Sequence, residues 1–323
     1  MKKSKFLSLV ETITKLSISD YLRLKESLKK IDEQQLVQLT LETPKKELVC
    51  PRCSCNNLWR WGHRNNLQRY KCKGCHKTFN SLTQTPLSRL RKKSKWMEYA
   101  LCLTQGVSVR KAARRCQVSS NTAFLWRHHF LINSKKIKAS LLSGIVEADE
   151  TYFLRSEKGS RNMSRAPRKR GGKASKRGLS SQQVCVFVSR DRSRNTFDLI
   201  FNKFNAQSLK KSFAPVLSKD ALFCSDGSGV YKKFVRENQI RHGALNISSN
   251  IRVRKKIVHI QNVNSYHSRL KKWMIRFNGV STKYLDSYLG WFRALDEFNM
   301  NIVASTMLMR SKIITPYRNT PLT

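Results

Sequence analysis

Acidic side chains are what this sequence has least of: 20 Asp and Glu stand against 64 Lys and Arg, a formal charge of +44 over 323 residues. A chain so charged repels itself unless a polyanion neutralises it, which makes nucleic acid the expected partner. An anionic membrane surface would attract the same charge. The basic residues, however, are spread through periodic, aromatic-containing segments and not gathered on one amphipathic helix. Long apolar runs are also missing; none approaches the roughly 18 residues of a spanning segment. The basic start MKKSKFLSLVETITKLS lacks a signal-peptide core, because Glu11 and neighbouring polar residues interrupt it. A cytoplasmic protein is expected. Nor is there a disulfide framework. Four cysteines lie in two Cys-x-x-Cys pairs, and Cys102, Cys116, Cys185 and Cys224 are scattered in apolar contexts, which fits reduced thiols and one metal site.

The length suffices for two or three domains and at least one substantial core. Residues 1–44 read as a helical segment, with Phe6, Leu9, Val10, Ile13 and Leu16 at helical spacing and a second helical pattern from Ser19 to Leu41. Residues 45–85 hold the paired cysteines, with Trp59, Trp61 and Tyr70 suited to short strands. Pro86 and the basic run Arg89 to Lys95 open a helical module over 86–140. An α/β domain follows over 141–312, with a tail at 313–323. Its expected strands are Gly144 to Phe153, Gln183 to Arg190, Thr196 to Phe201 and Ala221 to Ser225. Ala206 to Leu217 and Gly229 to Asn238 read as intervening helices; Val263 to Phe277 and Tyr284 to about Met309 read as longer closing ones. A loop at 155–181 interrupts this domain. Its segment KGSRNMSRAPRKRGGKASKRG, residues 158 to 178, carries nine basic residues, four glycines and no acid, so it buries no core and is expected to be mobile and to touch phosphate. Arg168, Lys169, Arg170, Lys173, Lys176 and Arg177 are its candidate contacts.

Cys50-Pro-Arg-Cys53 and Cys72-Lys-Gly-Cys75 each present two sulfurs to one ion, and the residues between can form a hairpin. Tetrahedral thiolate ligation of structural zinc is the expected chemistry. Cys55 is offset from both knuckles and is left out. In VSVRKAARRCQVSSNTAFLWRHHFL, paired alanines, a short break and a Ser119-Ser120-Asn121-Thr122 helix start suggest a helix-turn-helix. Such modules read the major groove near the start of the second helix, making Asn121, Thr122, Arg127 and His128 candidate DNA contacts.

Phosphodiester cleavage and transfer use two divalent cations, and carboxylates are the hard ligands that hold magnesium while leaving room for phosphate and water. Asp149 lies within the first strand; Asp226 directly follows the fourth, where Gly227 and Gly229 free the turn. Asn264 opens the helix expected beside those strands, and Lys271, two turns on, shares nearly the same face. Val263, Tyr266, Leu270, Met274 and Phe277 form the stripe expected to pack on the sheet, which leaves Asn264, Lys271 and His267 facing the cleft. Glu147 shares the face of Asp149 and is its rival as ligand; Glu150 points the other way.

These residues resemble the bacterial insertion-sequence transposases of the DDE superfamily, in the group with an N-terminal zinc ribbon and an Asp-Asp-Asn-Lys signature. The resemblance runs from about residue 48 to 296. It is carried by VCPRCSC with YKCKGCHKTF, EADETYF, PRKRGGKASKRG, CSDGSGVY and HIQNVNSYHSRLKKWMIRFNGVSTKYLDSYLGWFRAL. It implies an RNase H-like catalytic domain, Asp149, Asp226 and Asn264 at the magnesium or manganese site, and Lys271, with Lys272 beside it, on DNA near the cut. Asn264 is preferred to Asn262 because the family spacing to the basic residue is seven. The wider superfamily carries glutamate at this third position. The implied partners are the terminal inverted repeats, target DNA and further copies of the chain, in a homodimer or larger assembly. A zinc-ribbon and helix-turn-helix regulator, or an inactive relic, would explain the charge and the cysteines, but a regulator would not explain the spaced polar residues. A nuclease of the same fold that cuts without joining is a further alternative.

Overall fold

The computed structural model describes residues 12–42, 48–166, 171–172, 174, 180–245, 253 and 257–312. The chain divides into two compact units, one drawn from Met1–Leu103 with Val303–Thr323 and the other spanning Thr104–Ile302.

The first unit contains α1 (Ile18–Leu41), a three-stranded antiparallel sheet of β1 (Leu58–Arg64), β2 (Leu67–Cys72) and β3 (Thr78–Asn80), and α2 (Trp96–Thr104). Ser17 caps α1 by accepting from the Asp20 N–H at 3.1 Å. The hairpin between β1 and β2 turns at Asn65 and Asn66, both in the left-handed region, which asparagine tolerates better than most residues. The expected helical stretch at 6–16 lies mostly outside the described residues.

In the second unit, α3 (Val109–Arg115) and α4 (Ser120–Leu131) precede β4 (Ile145–Leu154), β5 (Gln183–Asp191) and β6 (Thr196–Phe201). Then come α5 (Ala206–Phe213), β7 (Leu222–Ser225), α6 (Gly229–Glu237), β8 (Arg241–Ala244), α7 (Gln261–Ile275) and α8 (Leu285–Glu297). The five strands lie in the order β6-β5-β4-β7-β8. β5 runs antiparallel to both of its neighbours, β4 and β6, while β7 and β8 run parallel to β4. One face of the sheet carries a core of Val146, Ala148, Phe187, Phe223 and the helix residues Leu209, Phe213, Tyr231 and Phe234. On the other face α7 packs on β4 and β5, and α8 on β6 and α4.

Two elements depart from the sequence expectation. β8 is a fifth strand that Arg241-His-Gly-Ala does not advertise, having no apolar alternation. The helix expected to run from Tyr284 to about Met309 is two helices, α8 and α9 (Ala304–Lys312), separated where Asn299 and Met300 turn left-handed. The Met300 N–H reaches back to the Leu295 carbonyl at 2.7 Å and so closes α8. The start of the basic loop is also more fixed than expected. Lys158 Nζ donates to the carbonyls of Phe277, Asn278 and Gly279 at 3.0, 2.9 and 3.0 Å, just beyond the end of α7.

Arg293 on α8 joins the layers. Its guanidinium pairs with the fully buried Asp198 on β6 and donates to the carbonyls of Ile137 and Ser134, each at 2.9 Å. Removing one partner of a buried pair strands the other charge. Asp198→Ala is therefore expected to lower unfolding free energy by about 3–5 kcal/mol, read as a fall in the urea midpoint.

Candidate active site

Alternation along β4 sorts its carboxylates. Val146 and Ala148 enter the core, and Glu147 and Asp149 face α7. Glu147 is only 1% exposed, yet its acceptor capacity is filled. It takes the N–H groups of Asn262 and Val263 at 2.8 and 3.1 Å and the Asn262 amide at 2.7 Å. Arg192 stands 2.8 Å and His259 3.3 Å away. This carboxylate caps the N-terminal end of α7, where orphan N–H groups and the helix dipole both favour an anion. The rival ligand is thus occupied, and Asn262 is engaged with it.

Asp149 is the next residue on that face. β7 pairs parallel with β4 as far as Glu147 opposite Cys224; Asp149 and Asp226 stand just beyond that pairing, and the charges of both act on the Glu150 carboxyl and the Tyr231 hydroxyl. Asp226 sits in a tight turn, its Oδ1 accepting the Ser228 N–H at 3.0 Å. Gly227 takes φ +74° there, and a Cβ would approach the Leu245 carbonyl at 3.3 Å. Asp149 Oδ2 lies 3.5 Å from His267 Nδ1. His267 is buried, and Asn264 and Lys271, three residues before and four after it, share its helix face and are exposed, as is Lys272. Trp273 is buried in the stripe where Met274 was expected; Val263, Tyr266, Leu270 and Phe277 are buried as foreseen.

Glu150 points to the opposite layer, accepting from the Tyr231 hydroxyl at 2.6 Å. Burial, reinforced by the charges of Asp149 and Asp226, pushes its carboxyl up to about 7. The end of this sheet thus concentrates negative charge in a strongly basic chain. The Tyr231, Arg192 and His259 contacts escaped the sequence reading, since each partner is far away in the chain.

The four knuckle cysteines converge, all their sulfurs within 4.8 Å of one another. Cys50 and Cys75 are 3.6 Å apart and Cys53 and Cys72 3.5 Å. A tetrahedral ion with 2.3 Å bonds needs sulfurs about 3.8 Å apart, so the cluster fits zinc with little adjustment. The Cys75 N–H, 3.5 Å from Cys72 Sγ, helps hold that thiol down at about 6, toward the thiolate a metal needs. Cys55 stays outside the set, its sulfur near the Asn57 backbone.

The helix-turn-helix reading needs correction at two residues. Ser119 caps α4, accepting from the Thr122 N–H at 3.1 Å, and Asn121 is exposed. Arg127, however, is fully buried: it donates to the Val107 carbonyl at 2.8 Å and lies 4.6 Å over the Trp291 ring. His128 is buried against Tyr284, with ring centroids 3.7 Å apart. Both fasten α4 to the catalytic layer and do not face outward. Arg168, Lys169, Arg170, Lys173, Lys176 and Arg177 lie outside the described residues.

A mixed sheet whose first three strands form an antiparallel meander and whose last two run parallel to the first is RNase H-like in its topology. Residues 141–293 match the family described as ISXO2-like transposase domain, a match that supports an insertion-sequence transposase of the DDE superfamily. The chain is 26% identical over 256 residues to an uncharacterized protein in transposable element ISH50 of Halobacterium salinarum, covering 76% of this chain and 84% of that one. Two solved structures are weakly similar. One is a simian T-cell lymphotropic virus intasome in complex with PP2A regulatory subunit B56 gamma (9% identity, 60% of this chain, 66% of that one, TM-score 0.28). The other is a pre-cleavage Mos1 transpososome (12% identity, 67% and 78%, TM-score 0.20). Among the described residues no helix is long and apolar enough to cross a membrane.

Two outcomes are expected. Glu147→Ala should lower stability by about 1–3 kcal/mol in denaturant titrations, because it uncaps α7 and leaves the buried Val263 N–H without its acceptor. Asp149→Asn, which relieves like-charge crowding, should leave stability unchanged or raised. His128 supplies the pH dependence. Burial, with the nearby Arg127 and Lys283 charges, lowers its folded-state value from 6.5 to about 4. The unfolded chain therefore binds that proton first. The contribution is intact above about pH 6.5 and declines as pH falls toward 4. In parallel thermal scans from pH 8 to 4, His128→Phe should gain stability relative to the parent as acid is added.

Proposed function

We propose that this transposase hydrolyses DNA at the ends of its element and joins the exposed 3′ hydroxyl to a target phosphodiester. The observation that supports the reading is that Asp149, 3.5 Å from His267 on α7, and Asp226, directly after the adjacent parallel strand β7, both bear on the same Glu150 carboxyl. The donor set fits hard divalent cations. It consists of carboxylate and amide oxygens, while the neighbouring Glu147 is already spent on the helix. Magnesium or manganese, when bound, supplies activation of the attacking oxygen and stabilisation of the leaving one.

In this reading Asp149 and Asp226 hold the cations and Asn264 completes the site as a neutral, weaker ligand. His267 fixes the orientation of the Asp149 carboxylate. Lys271 and Lys272 hold phosphate near the cut, and no covalent protein intermediate is needed. Asn121 and Thr122 at the start of α4 belong to recognition of the terminal repeats, along with a ribbon whose cysteines hold structural zinc. The basic segment around Arg168 to Arg177 holds flanking or target DNA. Pairing two element ends calls for a dimer or larger assembly.

The test incubates the purified protein with labelled DNA from the edges of its own locus and a target plasmid, with magnesium or manganese. Joined products are expected from the parent chain. Asp226→Ala should lose them by more than about 100-fold, since even residues one shell removed from a metal are worth 10–100-fold. Cutting without joining would replace the reading by a nuclease, and binding with neither reaction by a regulator or relic.

A further inference from the structure

The zinc-ribbon sheet has two faces of opposite character. Inward, Tyr70 stacks on Phe79 with centroids 5.7 Å apart, beside the cysteine cluster. Outward, Trp59 and Trp61 on β1 each leave 47% of their surface exposed, whereas Trp96, Trp126, Trp273 and Trp291 are at most 4% exposed. The two exposed indoles are held in a row by cations from β2 and its end. Lys71, directly across from Trp59 in the strand register, reaches diagonally to lie 4.6 Å over the Trp61 ring. Lys73 lies 5.1 Å over Trp59. From Leu48 to Met97 the sequence contains no acidic residue, so no carboxylate on this sheet competes for those ammonium groups.

We propose that this face is a stacking platform for unpaired DNA bases, a binding site additional to the helix-turn-helix and the catalytic cleft. It rests on the reading of the protein as one that handles DNA, and it names the form of DNA that this surface takes. A duplex hides its base faces in its own stack, whereas an unpaired strand offers flat faces and phosphates together. Side chains two residues apart on a strand are about 7 Å apart, leaving room for a base on each indole. An exposed ammonium–ring contact is weaker than base–aromatic stacking. A base can therefore take the ring and release Lys71 or Lys73 to the adjoining phosphate, so the charge keeps a partner throughout the exchange. The same rows of aromatic and basic side chains bind single strands with little sequence preference, because every base has a π-face.

The full-length, zinc-loaded protein is titrated with an oligodeoxythymidine and, separately, with a duplex of the same length, following tryptophan fluorescence. The single strand should quench emission, since the exposed tryptophans are these two. Trp59→Ala combined with Trp61→Ala should abolish the quench and weaken single-strand binding by about tenfold or more, with duplex binding changed by less than about twofold. An unchanged zinc content verifies that the ribbon of the variant is folded. Oligodeoxythymidine binding without quenching, equal losses for single strand and duplex, or no oligodeoxythymidine binding would each overturn the proposal. The failures remain separable. Quenching in a protein that neither cuts nor joins DNA leaves the platform standing and removes the transposition chemistry; joining in a protein indifferent to the single strand does the reverse.

Discussion

The catalytic layer depends on one buried carboxylate. Glu147 leaves β4 toward the start of α7 and is met there by two backbone N–H groups, an amide, the Arg192 guanidinium and the His259 ring. A carboxylate this deep would be prohibitive without such partners. With them, it ties the central strand to the helix that lies across it. Everything else follows by periodicity. Two residues along the strand is Asp149, a turn into the helix is Asn264, and His267 closes the distance between the two elements.

In a chain so short of acid, the buried carboxylates of this domain are each held by specific partners. Asp198 and Asp296 neutralise buried arginines, Glu147 caps a helix, and Glu150 is met by a tyrosine hydroxyl. Asp149 stands on β4 and Asp226 in the turn directly after its parallel neighbour β7, and neither is paired with an arginine or lysine among the described contacts. The proton affinity of Glu150 behind them is raised chiefly by its burial, and the charges of Asp149 and Asp226 add to it.

Much of this was legible from local signals. The knuckles follow from cysteine spacing, and four strands of the larger sheet follow from apolar runs bounded by turns, within a residue or so at each end. What escaped depended on partners distant in sequence. Arg127 and His128 look like groove-reading residues because they are polar and follow a helix start; only the packing of α4 against α8 makes them buried fasteners. Glu147 reads as a spare ligand until its 115-residue reach to Asn262 is seen. The helical pattern after Tyr284 continues across its own break because the signal that ends α8 is a pair of left-handed residues, one of them methionine. β8 is short and polar enough to pass for loop.

Lys158 gives α7 a second point of attachment. The helix has a carboxylate against its N-terminal amides and an ammonium against the carbonyls just past its C-terminal end, each sign matched to the dipole it meets. A rod held at both ends has no freedom to slide along its axis, because a shift by even one turn would forfeit both attachments together. Asn264 and Lys271 lie between those two points, so their height above the strand aspartates is set by the distance from one clamp to the other and not by the side chains in the cleft.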